Sequence, residues 1–224
     1  MSLELGLLAT VLVILPGLGL GVLAAKRRGR PADVGVSMAS LVAVSAPSYW
    51  LAVVCLILVG ERWPGLVPAA GGDVAFTEDP AANLRTMLLP SLVVGLGAFA
   101  LVTRAVQASL GPALEEDDAT FARACGLSER TVVWRVAGRR AVPGVLSVAG
   151  LAVGGLLTGA VLVESVFQLP GLGQLMVTAF TRGDHPLALG GALVTAVVLL
   201  GVNLVVDATI VGLDPRHRAK GALA

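Results

Sequence analysis

Five long apolar runs, each closed by a polar stretch, dominate the chain. They span Leu3–Ala25, Val34–Val59, Met87–Leu110, Val142–Val163 and Leu187–Leu213. Each reaches the roughly 20 residues that a helix needs to cross the hydrocarbon core, so five membrane spans are predicted. Gly and Pro recur inside them (Pro16, Pro47, Gly95, Gly97, Gly154, Gly155), as membrane helices tolerate and close helix packing favours. Between the third and fourth runs, residues 115–143 form the one long stretch dense in both charge signs. It reads as a short amphipathic helix, a Gly-Leu-Ser break and a second, basic helix. Charges and unpaired backbone groups do not sit in lipid, so this island lies at a membrane face. Residues 60–86 read as an irregular Gly- and Pro-rich loop with Trp63. Residues 164–186, broken at Pro170-Gly171, read as a re-entrant or surface-lying helical hairpin.

Composition agrees. Of 224 residues, 56% are hydrophobic and 14% charged, against about 25% charged in soluble domains. The placement of the charges matters more than their sum of +1. Lys26, Arg27, Arg28, Arg30, Arg123, Arg130, Arg135, Arg139, Arg140, Arg216, Arg218 and Lys220 fall on one side of the predicted crossings. Only Arg62, Arg85 and Arg182 fall on the other, twelve against three. Basic connections stay cytoplasmic, so the charged island and the C-terminus are expected inside and the N-terminus outside. A first helix entering from outside with almost no tail suggests that an upstream span is missing from this chain, whether by a late start, as a fragment or by loss of the helix.

In the charged island, Glu115, Glu116, Asp117 and Asp118 suit the positive end of a helix. Gly126 permits a left-handed helix end, and Ser128-Glu129 can open the next helix. Ala122 and Ala124 are small enough to let a partner surface approach. By itself the pattern leaves two readings open: an ordinary solvated loop, or a docking element. Within the spans, Arg104 and Asp207 lie at equal depth, about six residues from the cytoplasmic end, and are expected to form an interhelical ion pair. Asn203 lies one turn from Asp207. Ser45, Ser48 and Tyr49 surround a mid-span Pro47 kink, and Glu164 closes the fourth span. Each is either a packing feature or a lining of a solute path. Cys55 and Cys125 fall in different compartments, so no disulfide between them is expected. His185 and His217 are solitary, without metal-ligand spacing. No GxxxxGK[ST] phosphate cradle and no Ser/His/Asp or Cys/His set occurs, so the chain reads as no enzyme. Nothing in it calls for nucleic acid.

Several stretches together resemble the binding-protein-dependent ABC-importer permeases that carry dipeptides, oligopeptides or nickel. Phe121-Ala122-Arg123-Ala124-Cys125-Gly126-Leu127-Ser128-Glu129 is similar to that family's EAA loop, there approximately TARAKGLSE. In the family's order come Ser45-Ala46-Pro47-Ser48-Tyr49-Trp50, Leu88-Leu89-Pro90-Ser91, Glu164-Ser165-Val166-Phe167 with Leu169-Pro170-Gly171-Leu172-Gly173, and Asn203-Leu204-Val205-Val206-Asp207 with Leu213-Asp214-Pro215-Arg216. Departures are Cys125 for the usual Lys, Gln107 for a frequent Arg, and the absent first span. The resemblance implies an all-α, polytopic permease domain over 1–224, type I in architecture, in the bacterial inner membrane. It implies a coupling loop over about 111–141, with Phe121, Ala122, Arg123, Ala124, Gly126, Leu127, Ser128 and Glu129 facing an ATPase. The implied partners are a second permease, one or two ATP-binding subunits and an extracytoplasmic binding protein. No cofactor is expected on this chain, ATP being held by the partner. An ion-coupled secondary transporter is the rival from another class. It calls for mid-bilayer acids and inverted repeats, and neither is evident.

Overall fold

A computed structural model describes residues 1–63 and 76–213. Asp214, Pro215, Arg216, His217, Arg218 and Lys220, and the centre of the 60–86 connection, lie outside the described residues. The described residues form eight helices and no strand. They are α1 (Ser2–Lys26, with a π turn over Thr10–Ile14), α2 (Pro31–Ser45), α3 (Ser48–Arg62), α4 (Pro80–Glu115), α5 (Asp117–Ala124), α6 (Glu129–Phe167, with a π turn over Val132–Ala137), α7 (Leu172–Thr181) and α8 (His185–Leu213).

Four of these, α1, α4, α6 and α8, are long and apolar enough to cross a bilayer. The fifth expected span, Val34–Val59, is not one rod. It breaks into α2 and α3, which meet at 94°. The cause is local. A residue before proline is pushed out of the helical region, and Ala46 (ψ 122°) and Pro47 (ψ 133°) are both extended. A mid-span kink was legible; a right-angle break was not.

The 36 residues of α4 run about 54 Å at 1.5 Å per residue, well beyond a hydrocarbon core of about 30 Å. Asp79 starts this helix, its carboxylate accepting from Ala81 and Ala82 N–H, both at 3.0 Å. Helices α4 and α6 form the central pair; α1 packs along α4, with α2 beside it, and α3 lies against α6. Glycines let the α1 and α4 backbones approach. A Cβ on Gly21 would stand 2.7 Å from Val106 Cβ, and one on Gly17 3.0 Å from the Phe99 ring. Thr103 lies fully buried in this seam and donates to the Gly17 carbonyl at 3.1 Å.

One apolar cluster joins Leu5, Met87, Val94, Leu156 and Phe167; a second joins Ala25, Leu110, Ala119, Val132 and Ala137 beside the polar segment. Among the described residues, helix α8 packs chiefly on α6 and α7 and leaves Leu189, Leu193, Val197, Leu200 and Leu204 exposed. Such a continuous exposed apolar wall belongs in lipid or against another chain, not in water.

Candidate functional site

The polar segment folds as a compact two-helix nub at one end of the molecule. Its local chemistry explains the shape. Glu116 is extended (ψ 158°) and turns the chain out of α4 into α5, which begins with Asp117 and Asp118 and carries Arg123 in its last turn, as the helix dipole favours. The helix then stops in a double hydrogen-bonded cap: Gly126 N donates to Arg123 O at 2.9 Å and Leu127 N to Ala122 O at 3.1 Å. Gly126 takes φ +79°, with nothing within 4 Å of where a Cβ would lie. Ser128 caps α6, its hydroxyl accepting from Thr131 N at 3.3 Å.

Charges brace the nub. Arg123 donates to both Glu129 oxygens, at 3.0 and 3.1 Å, and to the Leu114 carbonyl at 2.9 Å. That hydrogen bonding holds the Glu129 carboxyl below its ordinary value and raises the Arg123 guanidinium; the charges of Arg123 and Lys26 also act on Glu129. Arg140 pairs with Glu116 and Asp118 across the turn, and Arg28 reaches Glu115 at 2.9 Å. Gln107 donates to Asp33 at 3.0 Å and to Ser37 at 3.1 Å, while Asp33 accepts from Gly29 N at 3.0 Å. The first connection, the end of α4 and the nub are therefore fastened to one another. The sequence reading missed these links, which join residues 22 to 87 positions apart. The one signal present was the opposite charge on the two sides of the Gly-Leu-Ser break.

Ala122 does not stand where a partner could reach it. It is buried, with Ala119, against Val132, Val133 and Ala137, so its small size serves the nub's own packing. Phe121, 70% exposed, instead projects outward with Leu127 and Trp134, while Ala124, Gly126, Ser128 and Glu129 are also exposed.

The other singled-out residues are not gathered in one place. Ser48 lines a cavity of about 300 Å³ at the α2/α3 break, walled by Gly97, Gly155 and Gly159. Ser45 is exposed, its hydroxyl donating to Leu41 O at 2.7 Å; Tyr49 is exposed too. Neither lines that cavity. Glu164 does not line it either, being 1% exposed under the Leu169–Gly173 turn. Its Oε2 accepts from Gly173 N at 2.8 Å, and Ser2 Oγ accepts from Leu172 N at 2.8 Å, so together they satisfy the start of α7. Its carboxyl fills the space beside Gly171, and any side chain at Gly171 or Gly173 would collide with it. The expected Arg104–Asp207 pair is not among the ion pairs of the described residues; both side chains are exposed. Equal depth did not make them neighbours, because α8 packs on α6 and α7 while α4 packs on α1, α2 and α6.

Residues 17–219, which include the nub and both halves of the broken span, match the model of the binding-protein-dependent transport system inner membrane component family. The chain belongs to this family. It is 34% identical to the dipeptide transport system permease protein of Escherichia coli K12, over 98% of this chain and 71% of that protein. A putative peptide transport system permease protein of Brucella abortus strain 2308 is 35% identical over 97% of this chain and 68% of its own length. The di/tripeptide transport system permease protein of Pseudomonas aeruginosa UCBPP-PA14 is 34% identical over 97% and 70%. The chain is thus a multi-pass membrane subunit of an ABC importer, a transport permease that is helical among its described residues.

Proposed function

We propose that this permease forms part of the translocation path for peptides or similar small solutes, and that α5 is the handle by which a separate ATPase drives it. The observation that carries this reading is the nub: a self-braced polar turn, exposing Phe121 and Leu127, held on the ends of the two longest helices. Helices α4 and α6 are each continuous and, at 36 and 39 residues, longer than a bilayer core is thick, so force on α5 is transmitted as displacement of whole helices. Twelve basic residues against three support a cytoplasmic nub and C-terminus. ATP is bound and hydrolysed on the partner, and a binding protein delivers solute at the opposite face. The exposed wall of α8 and the broken α2–α3 pair supply surface for a second permease and for lipid. Relatives named for peptide transport support the solute class.

Co-purification of the assembled transporter tests this. Phe121→Asp is expected to release the ATPase while leaving the permease's thermal unfolding unchanged, since Phe121 packs outward. Full retention of the ATPase in that variant, with solute-stimulated hydrolysis intact, overturns docking through α5.

A further inference from the structure

A hollow of about 600 Å³ lies at the end of the molecule opposite the nub, between the end of α6, α7 and the start of α8. Its volume falls in the range of small-molecule sites. Gln168, Gln174, Thr178, Arg182, Asp184 and Leu187 are among its lining residues. Two opposite charges face it without neutralising each other: no ion pair among the described residues includes Arg182 or Asp184. Both are held by backbone caps. Gly183 (φ +75°) ends α7, with Gly183 N donating to Phe180 O at 3.1 Å and Asp184 N to Ala179 O at 2.9 Å. Asp184 Oδ1 in turn accepts from Leu187 N at 3.1 Å, which leaves its other oxygen available. Gln168 has φ +53°, a conformation that non-glycine residues rarely adopt and that clusters at binding sites.

We propose that this hollow binds a small zwitterion, its carboxylate on the Arg182 guanidinium and its ammonium on Asp184. A short unblocked peptide has this arrangement, so the proposal rests on the importer reading and names the chemistry by which the delivery face recognises its solute.

The test uses the purified transporter with its partner permease and ATPase but without the binding protein. Calorimetric titrations with Ala-Ala, N-acetyl-Ala-Ala and Ala-Ala-amide are compared. Wild type is expected to bind Ala-Ala about 10-fold or more tighter than either blocked form, the size of one lost charge-assisted hydrogen bond. Arg182→Gln is expected to abolish the preference for the free carboxylate alone. Asp184→Asn, which keeps the α8 cap, is expected to abolish the preference for the free ammonium alone. Unchanged thermal unfolding and ATPase association show that both variants are folded. Absence of Ala-Ala binding in a wild-type complex that imports it with its binding protein overturns the hollow and leaves the proposed function standing. So does an end preference that persists in the variants. A complex that retains its ATPase but imports no peptide with its binding protein refutes the proposed function instead, while the binding data still decide the hollow.

Discussion

Replacing Gly126 isolates the contribution of a single backbone angle to the nub. At φ +79° an L side chain crowds the following carbonyl, at a cost of about 1–2 kcal/mol. No other penalty enters, because nothing lies within 4 Å of the new Cβ. Gly126→Ala is therefore expected to raise the population with a broken α5 cap roughly 5–30-fold. Asn, which tolerates the left-handed region, is expected to do less, and Val, β-branched, to do more. Hydrogen exchange across residues 117–131 reads this directly. The Gly126 and Leu127 amides are the cap's donors, and their exchange should accelerate in the order Asn, Ala, Val. Gly35→Ala provides the opposite sign, since that helical glycine also has open space and Ala is the better helix former by about 1 kcal/mol. Exchange of the Leu127 amide that is unchanged in all three variants would refute the cap, and with it the claim that the nub is preformed.

Other expectations follow from the same geometry. Glu164→Ala leaves the buried Gly173 amide without its acceptor and should cost about 1–3 kcal/mol in thermal unfolding; Glu164→Gln, able to accept, should cost less. Gly21→Ala should destabilise by about 1–3 kcal/mol through overpacking against Val106, while Gly19→Ala, a helical glycine with nothing within 4 Å, should stabilise by up to about 1 kcal/mol in the same melt. Arg123 holds the Glu129 carboxyl below its ordinary 4.5, so this clamp contributes fully above that pH and is lost as pH falls through the lower, folded value. A spin label on exposed Cys125, with Cys55→Ser, should keep constant mobility from neutral pH down to about 4.5 and loosen only below it. Glu129→Gln should be loose throughout.

Much of the architecture was legible because lipid imposes simple rules: long apolar runs become helices, and charge gathers outside them. The Gly-Leu-Ser break was legible because its signals are local: Gly126 acts through its own backbone angle and Ser128 through its hydroxyl on Thr131 N. What escaped was everything that depends on which helices touch. Arg104 and Asp207 share a depth but not an interface, because α8 packs on α6 and α7 while α4 packs on α1, α2 and α6. Glu164 was legible only as a span-end acid, with or without a part in the path; its role as a cap appears only when Gly171 and Gly173 fold back over it. Ala122 was correctly read as small, but spacing alone did not show that its face turns inward. Gln107, read as a departure from an arginine, proved to be the link between α4 and Asp33.

Two phenylalanines offer a direct measurement of the central claim, because Phe121 and Phe180 are each 70% exposed and sit at opposite ends of the molecule. With a photoreactive phenylalanine analogue at either position in the assembled transporter, illumination should join position 121, and not position 180, to the ATPase. An adduct from position 180, or none from position 121 in a complex that hydrolyses ATP and transports, contradicts the account.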